Sequence, residues 1–220
     1  MEVYQHEIVS SINAMYGDLL RSWKQYDTVA EHLQALSVRL WEEVSQGNPT
    51  ALQEVRNYHW SHLGQTVEVL KNAGLTEADC RQTIANEYGY RRWSEVSHVR
   101  YPYHISFENA VELLLQGDEP GLRELLNGDP GLINQKSQYG HRATLLHYAV
   151  SNGVELWRQS VPANLPQMVE FLLERGANPR AKMKVYNGEY TASELLMSSE
   201  HPRKAGILPA LRDAFSKAVS

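Results

Sequence analysis

Apolar residues recur along this chain mostly at steps of three and four, the spacing that gathers them on one face of an α-helix. Tyr4, Ile8, Ile12, Met15, Leu19 and Trp23 form one such stripe, and Val29, Leu33, Leu36, Leu40 and Val44 form a second. The second stripe opens at Thr28-Val-Ala-Glu31, a capping box whose two ends satisfy free backbone N–H groups of the first turn. It closes at Gly47, and Asn48-Pro49 restarts a helix carrying Leu52 and Val55 inward. These two elements make a helical hairpin. A further helix is expected over residues 61–73, stopped by Gly74. Thr76-Glu-Ala-Asp79 then caps a helix carrying Cys80, Ile84 and Tyr88, and a short helix follows around Trp93.

The second half begins after a linker, Tyr101-Pro-Tyr103-His104. Ser106 is expected to cap a helix with Ala110, Leu113 and Leu114 inward. Its partner starts at Pro120 and carries Leu122, Leu125 and Leu126. Residues 144–153 then read T-L-L-H-Y-A-V-S-N-G, and residues 169–179 read V-E-F-L-L-E-R-G-A-N-P. Thr191-Ala-Ser-Glu194 is a third capping box, followed by Leu195 and Leu196 and a break at His201-Pro202. A last helix holds Ile207, Leu211, Phe215 and Ala218.

The first of those two quoted stretches resembles the inner helix of an ankyrin repeat, T-P-L-H-x-A-x-x-x-G, at Thr144, Leu146, His147, Ala149 and Gly153. Leu145 stands where the family usually has proline. The second resembles the ankyrin outer helix and its exit, at Val169, Leu172, Leu173, Gly176 and Ala177. A standard repeat spans about 33 residues and joins its helices by a tight turn. Here the connection is longer, so residues near 154–166 read as an insertion carrying Trp157 and two prolines. The stretch I-A-N-E-Y-G-Y-R-R-W is similar to a segment of bacterial ankyrin proteins. That resemblance implies a helical N-terminal domain docked on the repeats. The expected fold is all-α, with a helical domain over residues 1–100 and a short ankyrin-repeat α-solenoid of two to three units over residues 105–220.

Composition narrows the function. Formal net charge is −5, which argues against a nucleic-acid binder held by phosphate neutralisation. One cysteine, Cys80, excludes an intramolecular disulfide and fits a reducing compartment. Its place on an apolar helix side reads as an inert core thiol. No apolar run approaches a membrane span and the first residues do not form a secretory signal, so a cytoplasmic protein is expected. The chain shows no P-loop, no dinucleotide fingerprint and no G-x-S-x-G, so no cofactor is expected. His59 and His62 lie three apart without a cysteine pair or H-E-x-x-H, an incomplete metal ligand set.

His147 reads as a structural histidine bonded to its own and the neighbouring finger loop, with Thr144 as N-cap. The candidate binding residues are Tyr139, His141, Arg142 and Tyr148 around one finger loop, Trp157 and Arg158 on the insertion, and Tyr186 and Tyr190 in the next loop. Tyr, Trp and Arg are the side chains enriched at binding hot spots. Equally, His141 and Arg142 would serve to tie adjacent fingers together by hydrogen bonds. The leading reading is a non-catalytic module that presents a concave finger-loop surface to a cytoplasmic protein partner. The alternative is a small-molecule-binding protein or an acid/base enzyme of cyclase, isomerase or hydrolase type. In it the insertion would be a lid over His141, Arg142, Tyr148 and Trp157, with His141 as acid or base.

Overall fold

The computed structural model describes residues 2–217; Ala218, assigned above to the last helix, lies outside them. In chain order the elements are β1 (Val3–Gln5), α1 (Glu7–Tyr16), α2 (Val29–Ser45), α3 (Pro49–Tyr58), α4 (Val67–Lys71), α5 (Glu77–Glu87), α6 (Trp93–Val96), α7 (Ile105–Gln116), α8 (Glu119–Gly128), α9 (Leu145–Tyr148), β2 (Ser160–Pro162), α10 (Leu165–Glu174), β3 (Lys182–Val185), β4 (Gly188–Thr191), α11 (Ala192–Ser198), α12 (Glu200–Lys204) and α13 (Leu208–Lys217). Short 3₁₀ turns lie at Gly17–Arg21, Trp23–Gln25, Trp60–His62, Pro130–Asn134 and Leu156–Arg158. Helix, the 3₁₀ turns included, accounts for 62% of the described residues. The expectation of an all-α fold is corrected by two small antiparallel sheets, β1–β2 and β3–β4. The chain divides into two compact units, Ser10–Tyr103 and the pair of segments Met1–Val9 and His104–Ser220.

In the unit Ser10–Tyr103, α5 packs against both α2 and α3. Leu33, Leu36 and Leu40 of α2 and Cys80 and Ile84 of α5 are all buried. The capping boxes at Thr28 and Thr76 form as their local sequence dictates. The stripe from Tyr4 to Trp23 is not one helix. Gly17 turns to φ +56° and ends α1, and the chain continues in tighter 3₁₀ winding, which advances each side chain further round the axis. Leu20, rather than Leu19, therefore reaches the core. The helix expected over residues 61–73 is likewise split. Gly64 adopts φ +78°, and Thr66 caps the shorter α4 by accepting the Val69 N–H.

In the other unit, α7 and α8 form a hairpin. His104, not Ser106, caps α7, its Nδ1 accepting the Phe107 N–H at 3.3 Å. Leu146 of α9 and Leu172 of α10 share one core with Ala110 and Leu114 of α7, Leu196 of α11 and Leu211 of α13. The ankyrin-like inner helix is only one turn long. Beyond it, Ser151 takes φ +48° and Gly153 φ +76°. A Cβ on Gly153 would stand 2.7 Å from Val185 Cγ2, so both backbone angle and space require glycine there.

The insertion does not loop out. Residues 154–162 are buried throughout, and β2 pairs with β1 in the register Val3↔Pro162, Tyr4↔Val161 and Gln5↔Ser160. Tyr4 is thus a strand residue. Among the described residues no helix is long and apolar enough to cross a membrane.

Because Leu146 is 1% exposed at the centre of this core, Leu146→Ala should lower unfolding free energy by about 2–5 kcal/mol in urea denaturation, through lost burial and the cavity left behind.

Candidate functional site

The finger loop before α9 turns tightly, with the Arg142 N–H donating to the Tyr139 carbonyl at 3.1 Å. His141 points inward from this turn. Its Nδ1 accepts the Ala143 N–H at 3.1 Å, which leaves the ring proton on Nε2. Nε2 donates to Glu155 Oε1 at 2.8 Å, and Tyr148 donates its hydroxyl to the same oxygen at 3.2 Å. Burial raises the Glu155 pKa, but His141, followed by Arg158, outweighs it and holds the carboxyl below its ordinary value. Glu155 is therefore a buried carboxylate.

Arg158, from the insertion, is the second buried charge. Its Nη2 donates to Glu108 Oε2 at 2.7 Å and its Nε to Glu112 Oε1 at 3.3 Å, both from α7. The guanidinium lies 4.4 Å from the Trp157 ring centroid and 5.5 Å from that of Tyr148, within cation–π range. Burial lifts the Glu108 pKa, with Arg158 pulling against it. Tyr139 packs edge-on against His141, with ring centroids 5.6 Å apart.

Ser137, His141 and Glu155 stand in the order of a nucleophile, base and acid, with Ser137 Oγ 3.3 Å from His141 Nδ1. All three are sealed from solvent, and the Ala143 N–H is shared between the serine oxygen and the imidazole nitrogen. Their geometry fixes the loop. With the insertion filling the interior, no lid covers these residues, so the acid/base alternative gains no support.

Of the eight candidate residues, Tyr139, His141, Tyr148, Trp157 and Arg158 form this interior cluster. The other three lie on the outside. Arg142 is exposed at φ +58°. Tyr186 is 59% exposed at φ +50° and Tyr190 is 42% exposed. The β3–β4 hairpin carries both tyrosines, and Val185↔Gly188 pairing makes Tyr186-Asn187 its two-residue loop. The hairpin is fastened to the finger loop by the Lys184 N–H donating to the His141 carbonyl at 2.8 Å. Lys182 and Lys184 point outward while Met183 enters the core.

His147 behaves as the sequence implies. Its Nδ1 accepts the Thr144 N–H at 3.1 Å and its Nε2 donates to the Tyr190 carbonyl at 3.2 Å, joining α9 to the hairpin. Burial pushes its pKa down to about 4. The Cys80 thiol is fully buried, and burial pushes its pKa up to about 12.

The ankyrin repeat family model matches residues 141–184, from the finger loop through α10 into β3. No curated protein and no solved structure matches the chain significantly. Sequence reasoning missed Glu108, which carries no local signal that separates it from a solvated helix acid, and Glu155. The one available clue was an arginine and a glutamate, Arg158 and Glu155, three apart inside the same insertion.

Two outcomes follow for this cluster. The unfolded chain protonates His147 near pH 6.5 and the folded chain only near pH 4. Folding stability should therefore fall as pH drops through that interval, by roughly 3 kcal/mol at about 1.4 kcal/mol per pKa unit. Urea denaturation at pH 7 and pH 4 should show this fall, and His147→Gln should flatten it. Arg158→Met strands Glu108 without its counter-charge and should cost about 3–5 kcal/mol. Adding Glu108→Gln should restore part of that loss in a double-mutant cycle.

Proposed function

We propose that the C-terminal unit is a non-catalytic protein-interaction module whose contact surface is built on Arg142, Tyr186 and Tyr190. Ankyrin repeats are generally protein-interaction modules, and the family match covers the finger loop and part of the hairpin. The observation that carries this reading is that Arg142 and Tyr186, both exposed, are held at positive φ. An L-residue in that conformation costs about 1–2 kcal/mol, and glycine would remove the cost at the hairpin position. A large aromatic kept there, facing solvent, fits a binding task better than a folding one.

The five buried candidates act from beneath. His141 and Glu155 lock the finger turn, and Trp157 and Arg158 hold the insertion against α7, so the loops meet a partner already ordered and lose little entropy on docking. Arg142, Lys182 and Lys184 outnumber the exposed Glu189, which stands opposite Lys184, so the surface is locally cationic although the whole chain carries −5. The partner face we infer is acidic and offers an apolar recess for a tyrosine ring. The concave arrangement of finger loops belongs to this proposal. So does a bacterial, cytoplasmic setting, supported by the I-A-N-E-Y-G-Y-R-R-W segment and the single buried cysteine.

Tyr186→Ala and Tyr186→Gly separate binding from folding. Both should weaken a captured partner by about tenfold or more in quantitative pull-down. Tyr186→Gly should leave thermal stability unchanged or raise it by about 1 kcal/mol, through relief of the left-handed backbone. Undiminished capture by both variants and by Arg142→Ala would refute the assigned surface.

A further inference from the structure

The unit Ser10–Tyr103 brings together three potential ligands from separate elements. His59 stands at the C-cap of α3, His62 lies in the 3₁₀ turn that follows, and Asp79 sits in the first turn of α5. One donor atom from each lies within 4.8 Å of the other two. The two imidazole centroids are 4.6 Å apart. His59 Nε2 lies 3.6 Å from Asp79 Oδ1, too far for a hydrogen bond.

The hydrogen bonds of Asp79 and His62 turn one donor atom of each toward His59. Asp79 commits Oδ2 to the Thr76 N–H and hydroxyl, at 2.8 and 2.7 Å, so Oδ1 is the oxygen turned to the histidines. His62 Nδ1 pairs with Gln65 Oε1 at 3.2 Å. An amide oxygen only accepts, so the ring proton is on Nδ1 and Nε2 carries the lone pair. His59 is 7% exposed, and its Nδ1 makes no hydrogen bond to the described residues. His59 Nε2 faces the Asp79 carboxylate oxygen, and in the tautomer with the proton on Nδ1 it offers a second lone pair there. Two imidazole nitrogens and an anionic oxygen converging on one half-buried corner are an arrangement that a cation between them would satisfy.

We propose that His59, His62 and Asp79 form a binding site for a divalent transition-metal ion of the zinc class. Two imidazoles and one carboxylate are a known three-ligand donor set for zinc, with a fourth position left for water. Nitrogen donors disfavour Mg2+ and Ca2+, which take oxygen ligands. A tetrahedral ion with bonds of about 2.0–2.1 Å places its ligands roughly 3.3 Å apart. The 3.6 Å pair is already close to that, and half-buried His62 closes the remaining gap by side-chain rotation. Gln65 orients one ligand and Thr76 the other, the outer-shell support that metal sites use. The ion would clamp the end of α3 to the start of α5 across the 3₁₀ turn and α4 that lie between them.

The test uses full-length protein without a histidine tag, stripped with chelator. Calorimetric titration with Zn2+ should show one equivalent bound, and Co2+ should give the visible absorption of a four-coordinate site. Zinc should also raise Tm, since it binds the folded chain. His62→Ala removes a partly exposed side chain and should keep the circular dichroism spectrum while weakening zinc by at least about tenfold. His59→Gln should abolish stoichiometric binding. Absence of saturable Zn2+ and Co2+ binding by the wild type would overturn the proposal, as would equal affinity in both variants.

Discussion

A guanidinium stripped of water must be neutralised by what surrounds it, because its desolvation costs several kcal/mol. Arg158 meets that demand with Glu108 and Glu112 of α7 and the faces of Trp157 and Tyr148. Those contacts draw the insertion inward and hold it flat against the helical core. Once Arg158 is in place, Glu155 is carried to within reach of His141, and the finger turn is set from below. The exposed residues of that turn and of the hairpin depend on this interior polar network for their positions, although none of them belongs to it. A loop that repeat proteins usually leave outside has here become part of the packing.

Local chemistry made much of the fold legible. The capping boxes at Thr28, Thr76 and Thr191 each rest on residues three apart, so the chain declares them without reference to anything distant. The motif residues Leu146 and Leu172 reach the core as their spacing implies. What stayed hidden is non-local. Tyr4 lies at a helical spacing from Ile8, yet it pairs with Val161, and no window of sequence contains both. Gly17 and Gly64 interrupted two stripes that periodicity alone would continue.

The candidate site was legible as a set of residue types and illegible in its layering. Aromatic and arginine side chains clustered in sequence, but their division into an interior five and an exterior three depended on whether the insertion would fold in or stand out. That depended in turn on Glu108, about fifty residues upstream, becoming a partner for Arg158. Asp79 shows the same limit from the other side. Its role in a capping box is plain from Thr76, while its approach to His59 exists only once α3 and α5 have packed.

The β1–β2 pairing has a consequence for synthesis. Residues 3–5 leave the ribosome before the Ser10–Tyr103 unit, and their partner at residues 160–162 follows only after that whole unit has been made. The earlier strand must wait, unpaired, while a later-encoded body completes itself. Such nesting lengthens the loop that has to close and slows the final step relative to a chain whose neighbours are adjacent in sequence. The C-terminal unit is therefore the one whose maturation an upstream fusion or a chaperone would be best placed to delay.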